Sequence, residues 1–186
     1  MDSGSRLNLL EAQLRENYGK IVYSHKTQEK CADILSLRNK WIKTIQIVLT
    51  ALTTTGLFVR IFSGQEWALI ASTVFATLQF GVTLFVKEYN LGEIIEKHKV
   101  AALELLDVRE QYLSLLTDLK AGVISADEII PKREQLQKRL TDIYSRSPRT
   151  FKSAYSSAQK ALKIREELTF NDKEIDNFLP PELRKS

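Results

Sequence analysis

Residues 67–86 read WALIASTVFATLQFGVTLFV, twenty residues without a charge, and a second charge-free run, 44–59, lies just upstream across a Ser63-Gly64 turn. At about 1.5 Å rise per residue, a helix of about twenty residues covers about 30 Å, the thickness of a bilayer's hydrocarbon core. The upstream run is shorter, but Trp41 and Ile42 before it and Ile61 and Phe62 after it extend it once Lys43 and Arg60 snorkel outward. The pattern predicts a two-span membrane hairpin. The competing arrangement is a buried helical hairpin in a soluble bundle, which a mean hydropathy of -0.19 permits.

The flanks set an orientation. Lys26, Lys30, Arg38, Lys40 and Lys43 precede the first span and Lys87, Lys97 and Lys99 follow the second, eight basic residues against Arg60 alone in the loop. Positive charge is retained on the cytoplasmic side, so both termini are expected there. Trp41 and Tyr89 then fall at the inner interface and Trp67 at the outer one, where amphipathic rings settle. No cleavable signal peptide is expected, because MDSGSRLNLLEAQLRENYGK has no apolar core.

The remaining sequence divides around the hairpin (41–88) into an N-terminal cytosolic helix (1–40) and a C-terminal helical region (89–186). The predicted fold is all-α, a two-span hairpin whose cytosolic helices form a bundle. Leu91, Ile94, His98, Ala101, Leu105, Val108, Tyr112, Leu115 and Leu119 alternate spacings of three and four, the period of a packed or coiled-coil helix. That helix is expected to continue out of the second span. So long an apolar face exceeds what the chain's own helices should cover, which predicts a homo-oligomer held by this stripe and by the spans. Leu10, Leu14, Tyr18, Ile21, His25, Gln28, Ala32 and Leu35 form a more polar stripe leading into the first span. Gly122 ends the long helix, Ser125 with Glu128 caps the next, and Pro148 breaks that one, with Ser147 placed to cap a helix carrying Phe151, Tyr155, Ala158 and Leu162. A short last helix follows Asn171 and runs to Pro180-Pro181. The single cysteine, Cys31, makes no intrachain disulfide, which suits the cytosol.

Nothing in the chain forms a catalytic or metal-binding constellation. His25 and His98 lie on interior stripes of different helices, and HExxH, CxxC and glycine-rich phosphate loops are missing. Glu93 and Glu96 have Lys97 and Lys99 beside them and read as a solvated charged face. No enzyme activity, cofactor or metal is expected.

Polar residues inside the spans carry a more specific signal. Gln46, Thr50, Thr53 and Arg60 recur along the first span, and Ser72, Gln79 and Thr83 along the second. An unpaired amide in hydrocarbon costs several kcal/mol, so these residues must meet protein or water. They either hydrogen-bond between helices, at about 1 kcal/mol per contact, or wall an aqueous pore built from several hairpins. Outside the membrane, ten Lys and Arg against two acids lie between Lys132 and Arg165, before an acidic tail of Glu166, Glu167, Asp172, Glu174, Asp176 and Glu182. Within that segment Arg146, Arg149, Lys152, Lys160, Lys163 and Arg165 run without an acid. They form a solvated face, an anionic-lipid contact or a site for a phosphorylated ligand.

The order of parts resembles the SLATT domain. The resemblance rests on the hairpin entered through Lys40-Trp41 and on the long helix with Tyr89, His98, Ala101, Arg109 and Tyr112. It rests also on Ile143-Tyr144 followed by Pro148, Tyr155 and Ala158, and on the terminal stretch TFNDKEIDNFLP at 169–180. It covers nearly the whole chain. What it implies is a two-span effector of bacterial conflict systems in the inner membrane, associated with a nucleotide second-messenger synthase or sensor protein from the same operon, and acting by making pores. The resemblance supplies no catalytic residues, and no direct nucleic-acid partner is expected. The competing function is a non-conducting anchor or adaptor that recruits a soluble partner through its cytosolic helices.

Overall fold

The computed structural model describes residues 3–180, 183 and 184. Pro181 and Glu182, which belong to the expected tail, lie outside the described residues. Six helices follow in order, with no strand among the described residues: α1 Ser3–Ser63, α2 Glu66–Tyr89, α3 Leu91–Lys120, α4 Ala126–Arg146, α5 Lys152–Lys163 and α6 Asp172–Phe178.

One uninterrupted helix of 61 residues forms α1 and carries both the N-terminal stripe and the first candidate span. At about 1.5 Å per residue such a helix is about 90 Å long, far more than a bilayer requires. Its membrane half turns back at Gly64, whose φ of 67° is the left-handed conformation that a residue without Cβ adopts freely. Arg60 fastens that turn by donating to the Gly64 carbonyl at 2.6 Å and pairing with Glu66 at 3.3 Å.

The long helix does not leave the second span unbroken, contrary to the expectation from its periodicity. Asn90 interrupts it with φ 35° and ψ 53°. Asparagine enters this region more readily than most side chains, and here its amide donates to Glu93 at 2.7 Å, so the break is stabilised locally. A break of one residue therefore separates the apolar helix α2 from the bundle helix α3.

The hydrophobic core lies between α1, α3 and α4. Leu14 and Ile21 of α1 meet Leu105, Val108, Tyr112 and Leu115 of α3 and Ile129, Leu136 and Ile143 of α4. The α3 stripe that the sequence assigned to an oligomer seam is thus largely occupied by its own chain. His98, Ala101, Leu105, Val108, Tyr112 and Leu115 are buried, while Leu91, Ile94 and Leu119 are only half-buried. The periodicity marks a packed face, and α1 and α4 supply its partner.

Local chemistry sets the other boundaries. Gly122, at φ 68°, ends α3, and the Glu128 carboxylate accepts from both the amide and the hydroxyl of Ser125 to start α4. Ser147 does not cap the next helix. Its hydroxyl donates to the Ile143 carbonyl, closing α4, and α5 begins after extended Phe151 without a side-chain cap. Asn171 and Glu174 cap each other reciprocally at α6. Between α5 and α6 the acidic tail clips back onto α1, with Glu167 2.7 Å from Lys26 and 3.8 Å from Lys30. Burial works against the Lys26 charge, yet hydrogen bonds to Glu167 and Glu29 outweigh it and hold the ammonium's pKa above its ordinary value.

Candidate functional site

Two places in the molecule carry chemistry that packing alone does not use: the seam and outer face of the α1/α2 hairpin, and a cleft in the helical bundle.

The hairpin is bare. In the most apolar stretches of the two candidate spans, 0% and 6% of the residues are buried inside the chain. Ile47, Phe58, Ile61, Ile70, Phe80 and many neighbours point outward and stay open. A soluble helical hairpin buries such a surface, whereas a bilayer covers it without help from the chain. Both helices are long and apolar enough to cross a membrane, so the soluble-bundle alternative fails on exposure.

Small residues bring the spans together. A Cβ added at Gly56 would lie 2.2 Å from Ser72 Oγ and 3.2 Å from the Ala68 carbonyl, so the backbones approach where Gly56 faces Ala68 and Ser72. Ala68 and Ser72 are four apart, on one face of α2, the small-residue spacing that permits close helix contact in lipid. Sequence reasoning passed over Gly56, although a glycine within an apolar span and a small-xxx-small pair opposite were the available signal.

The polar span residues do not form one continuous stripe. Gln46, Thr53 and Gln79 are half-buried near the seam, Ser72 is buried, Arg60 sits at the turn, and Thr50 and Thr83 face outward. Hydroxyls of Thr50, Thr53, Ser72 and Thr83 all donate to the carbonyl four residues back in their own helix, at 2.8–2.9 Å. Their hydrogens are therefore satisfied without a neighbouring helix, and no side-chain hydrogen bond joins the membrane portions of the spans among the described residues. Gln79 is different, because its buried Oε1 has no hydrogen-bond partner. Ten residues from Gly56 bring α1 to Gln46, and about ten from the facing Ala68–Ser72 pair bring α2 to residues around Gln79, so the two amides share a depth. Between the spans an outward-facing groove of about 420 Å³ is lined by Thr53, Ser72, Thr73 and Thr77 among others.

The bundle cleft, of about 430 Å³, opens between α1, the end of α4 and the start of α5. Tyr23 stacks on Tyr155 with ring centroids 6.2 Å apart, and the Tyr144 hydroxyl donates to Ser24 Oγ at 2.9 Å. Arg149 is on the lining, while Arg146 turns away to pair with Glu104 at 2.6 Å. Lys152, Lys160, Lys163 and Arg165 are exposed and do not line the cleft. The basic segment accordingly separates into a paired residue, a cleft residue and a solvated set.

Behind the cleft lies a buried polar link. Gln28 donates to the Pro148 carbonyl at 3.5 Å and accepts from His98 Nδ1 at 2.5 Å, joining α1 to α3 and to the α4–α5 connection. Burial pushes the pKa values of His98 and His25 down, so both rings favour the neutral form. In His25 the 3.7 Å approach of Glu29 partly opposes that effect. Both are core histidines. Burial also pushes the Cys31 thiol up, against a nucleophilic role.

Two bare apolar helices, each long enough to cross a membrane, agree with the two transmembrane segments that the family comparison names. The model of SMODS and SLOG-associating 2TM effector domain family 4 (SLATT_4) matches residues 10–174. The chain belongs to the SLATT family. It is a membrane protein carrying a two-transmembrane effector domain of conflict systems. No curated protein and no solved structure matches this SLATT chain.

Proposed function

We propose that this SLATT protein assembles copies of its hairpin in the bacterial inner membrane, with both termini cytoplasmic, and opens an aqueous path that arrests the cell. The observation that carries this reading is the side-chain amide oxygen of Gln79, buried without a partner at the depth of Gln46. In hydrocarbon that omission costs several kcal/mol, and a second copy or water in a pore removes it. Two spans alone cannot enclose a channel, so several hairpins are required. With the middle of the α3 stripe occupied inside the chain, the copies meet through the spans, where the groove lined by Thr53, Leu57, Ala76, Thr77 and Phe80 offers a largely apolar recess for a neighbouring helix. A nucleotide second-messenger synthase or sensor protein from the same operon fits as the source of the trigger.

Replacing Gln46 and Gln79 together with Leu tests the proposal. Growth arrest and dye leakage are expected to fall at least tenfold while insertion and oligomer size stay unchanged, because only the wetted surface is altered. Smaller oligomers with the same double variant would make the amides interhelical contacts. Unchanged leakage would contradict a path lined by them, and a correctly inserted oligomer that never leaks would leave the hairpin as an anchor.

A further inference from the structure

We propose that the cytosolic cleft is a nucleotide site, with the base laid on the open tyrosine faces and the phosphate held at Arg149. Its volume of about 430 Å³ falls within the range of small-ligand sites, roughly 300–1,000 Å³. Its walls combine the two chemistries that a nucleotide presents. Tyr155 and Tyr144 remain 50% and 42% exposed although each is fixed, one by the stack on Tyr23 and the other by its bond to Ser24. Rings held in place yet open lose little entropy when a base stacks on them, and such stacking contributes about 1–3 kcal/mol per base.

Arg149 supplies the second half. Arg133, Arg139 and Arg146 of the preceding helix all pair with carboxylates, whereas Arg149 has no carboxylate within ion-pair distance among the described residues. A planar guanidinium left free at the edge of an aromatic cleft matches the bidentate geometry of a phosphate. Ser24 and Thr150 add hydroxyls to the same lining. The acidic tail pairs on another face of α1, through Lys26 and Lys30.

Height above the membrane selects a soluble ligand over a lipid headgroup. Gln28 lies thirteen residues before Trp41 on the same unbroken helix, which places the cleft about 20 Å from the inner interface. The bond that Gln28 makes to Pro148 is long, at 3.5 Å, and the one it shares with His98 is short. A ligand that displaces the first can shift the second, and with it α3 and the Asn90 hinge. That coupling rests on the proposed pore; the binding does not.

Calorimetric titration of the full chain in nanodiscs with AMP, GMP, CMP and UMP tests the site, with adenosine and inorganic phosphate as half-ligands. At least one nucleotide is expected to bind saturably, about tenfold more tightly than adenosine or phosphate alone. Arg149→Gln should lower nucleotide affinity about tenfold and leave adenosine binding unchanged, and Tyr155→Ala should lower both. Both side chains are exposed, and an unchanged circular dichroism spectrum would verify the fold of each variant. Saturable binding of none of the four, or binding that neither substitution alters, overturns the proposal. So does binding of phosphatidylglycerol vesicles that depends on Arg149 when no nucleotide binds. A nucleotide that binds as described but leaves vesicle leakage unchanged upholds the site and removes only its coupling to the hairpin.

Discussion

Aspartate at Leu105 or at Val108 is expected to unfold the helical bundle itself, where the sequence alone pointed to a weakening of assembly or fold together. Both side chains are fully buried among Leu14, Ile21 and the α4 residues. A carboxylate there has no partner, so it must remain charged at a large desolvation cost or take up a proton. Losses above about 4 kcal/mol are characteristic of such sites and rival the total stability of a small domain. Thermal unfolding followed by circular dichroism in detergent should show loss of the cooperative transition. Glu104 is a poor control despite its sequence position, because it pairs with Arg146. Leu103, 66% exposed, is the better one, and its Asp variant should stay within about 0.5 kcal/mol of the parent. A Leu105→Asp protein that melts normally and differs only in oligomer size would return the stripe to an interface between copies.

The second large effect is expected at Gly56. Leucine there would place its Cβ 2.2 Å from Ser72 Oγ and force the spans apart. In lipid, helix association depends on close packing, and overpacking costs about 1–3 kcal/mol even before the hydrogen bond from Ser72 to Ala68 is disturbed. The detergent melting temperature of the hairpin and its leakage activity should both fall. Gly56→Ala alone should be milder, and pairing it with Ser72→Ala should recover part of the loss, since the 2.2 Å clash with Ser72 Oγ disappears and the Ser72 Cβ lies at an ordinary 3.5 Å, while the tight 3.2 Å approach to the Ala68 carbonyl remains. If the leucine variant melts and leaks like the parent, the spans do not meet at this point.

These two sites also show what the sequence made legible. The apolar runs were readable because a bilayer imposes a length and excludes charge, and the buried face of α3 because its spacing repeats. The covering of that face was not, since periodicity marks a side that avoids water without saying whether α1 or another chain lies against it. Asn90 escaped for a related reason: the side-chain pattern continues across it, and one left-handed backbone conformation leaves no trace in hydropathy. The polar span residues looked like one stripe because spacing alone ignores the threonine hydroxyls' return to their own helix. Gly56 and Ser72 required the register of two antiparallel helices. The cleft depended on pairs remote in sequence, with Ser24 and Tyr144, and Gln28 and Pro148, each 120 residues apart.

Everything above depends on 41–88 lying in the bilayer with the bundle on the cytoplasmic side, and cysteine labelling tests that most directly. The natural Cys31 is fully buried, so a membrane-impermeant maleimide should report only an added cysteine. With Gln65→Cys, at the turn, intact cells should be labelled from outside. With Val123→Cys, in the exposed connection between α3 and α4, labelling should appear only after the cells are opened. Labelling of Val123→Cys in intact cells, or recovery of the parent protein in the soluble fraction, would contradict the account.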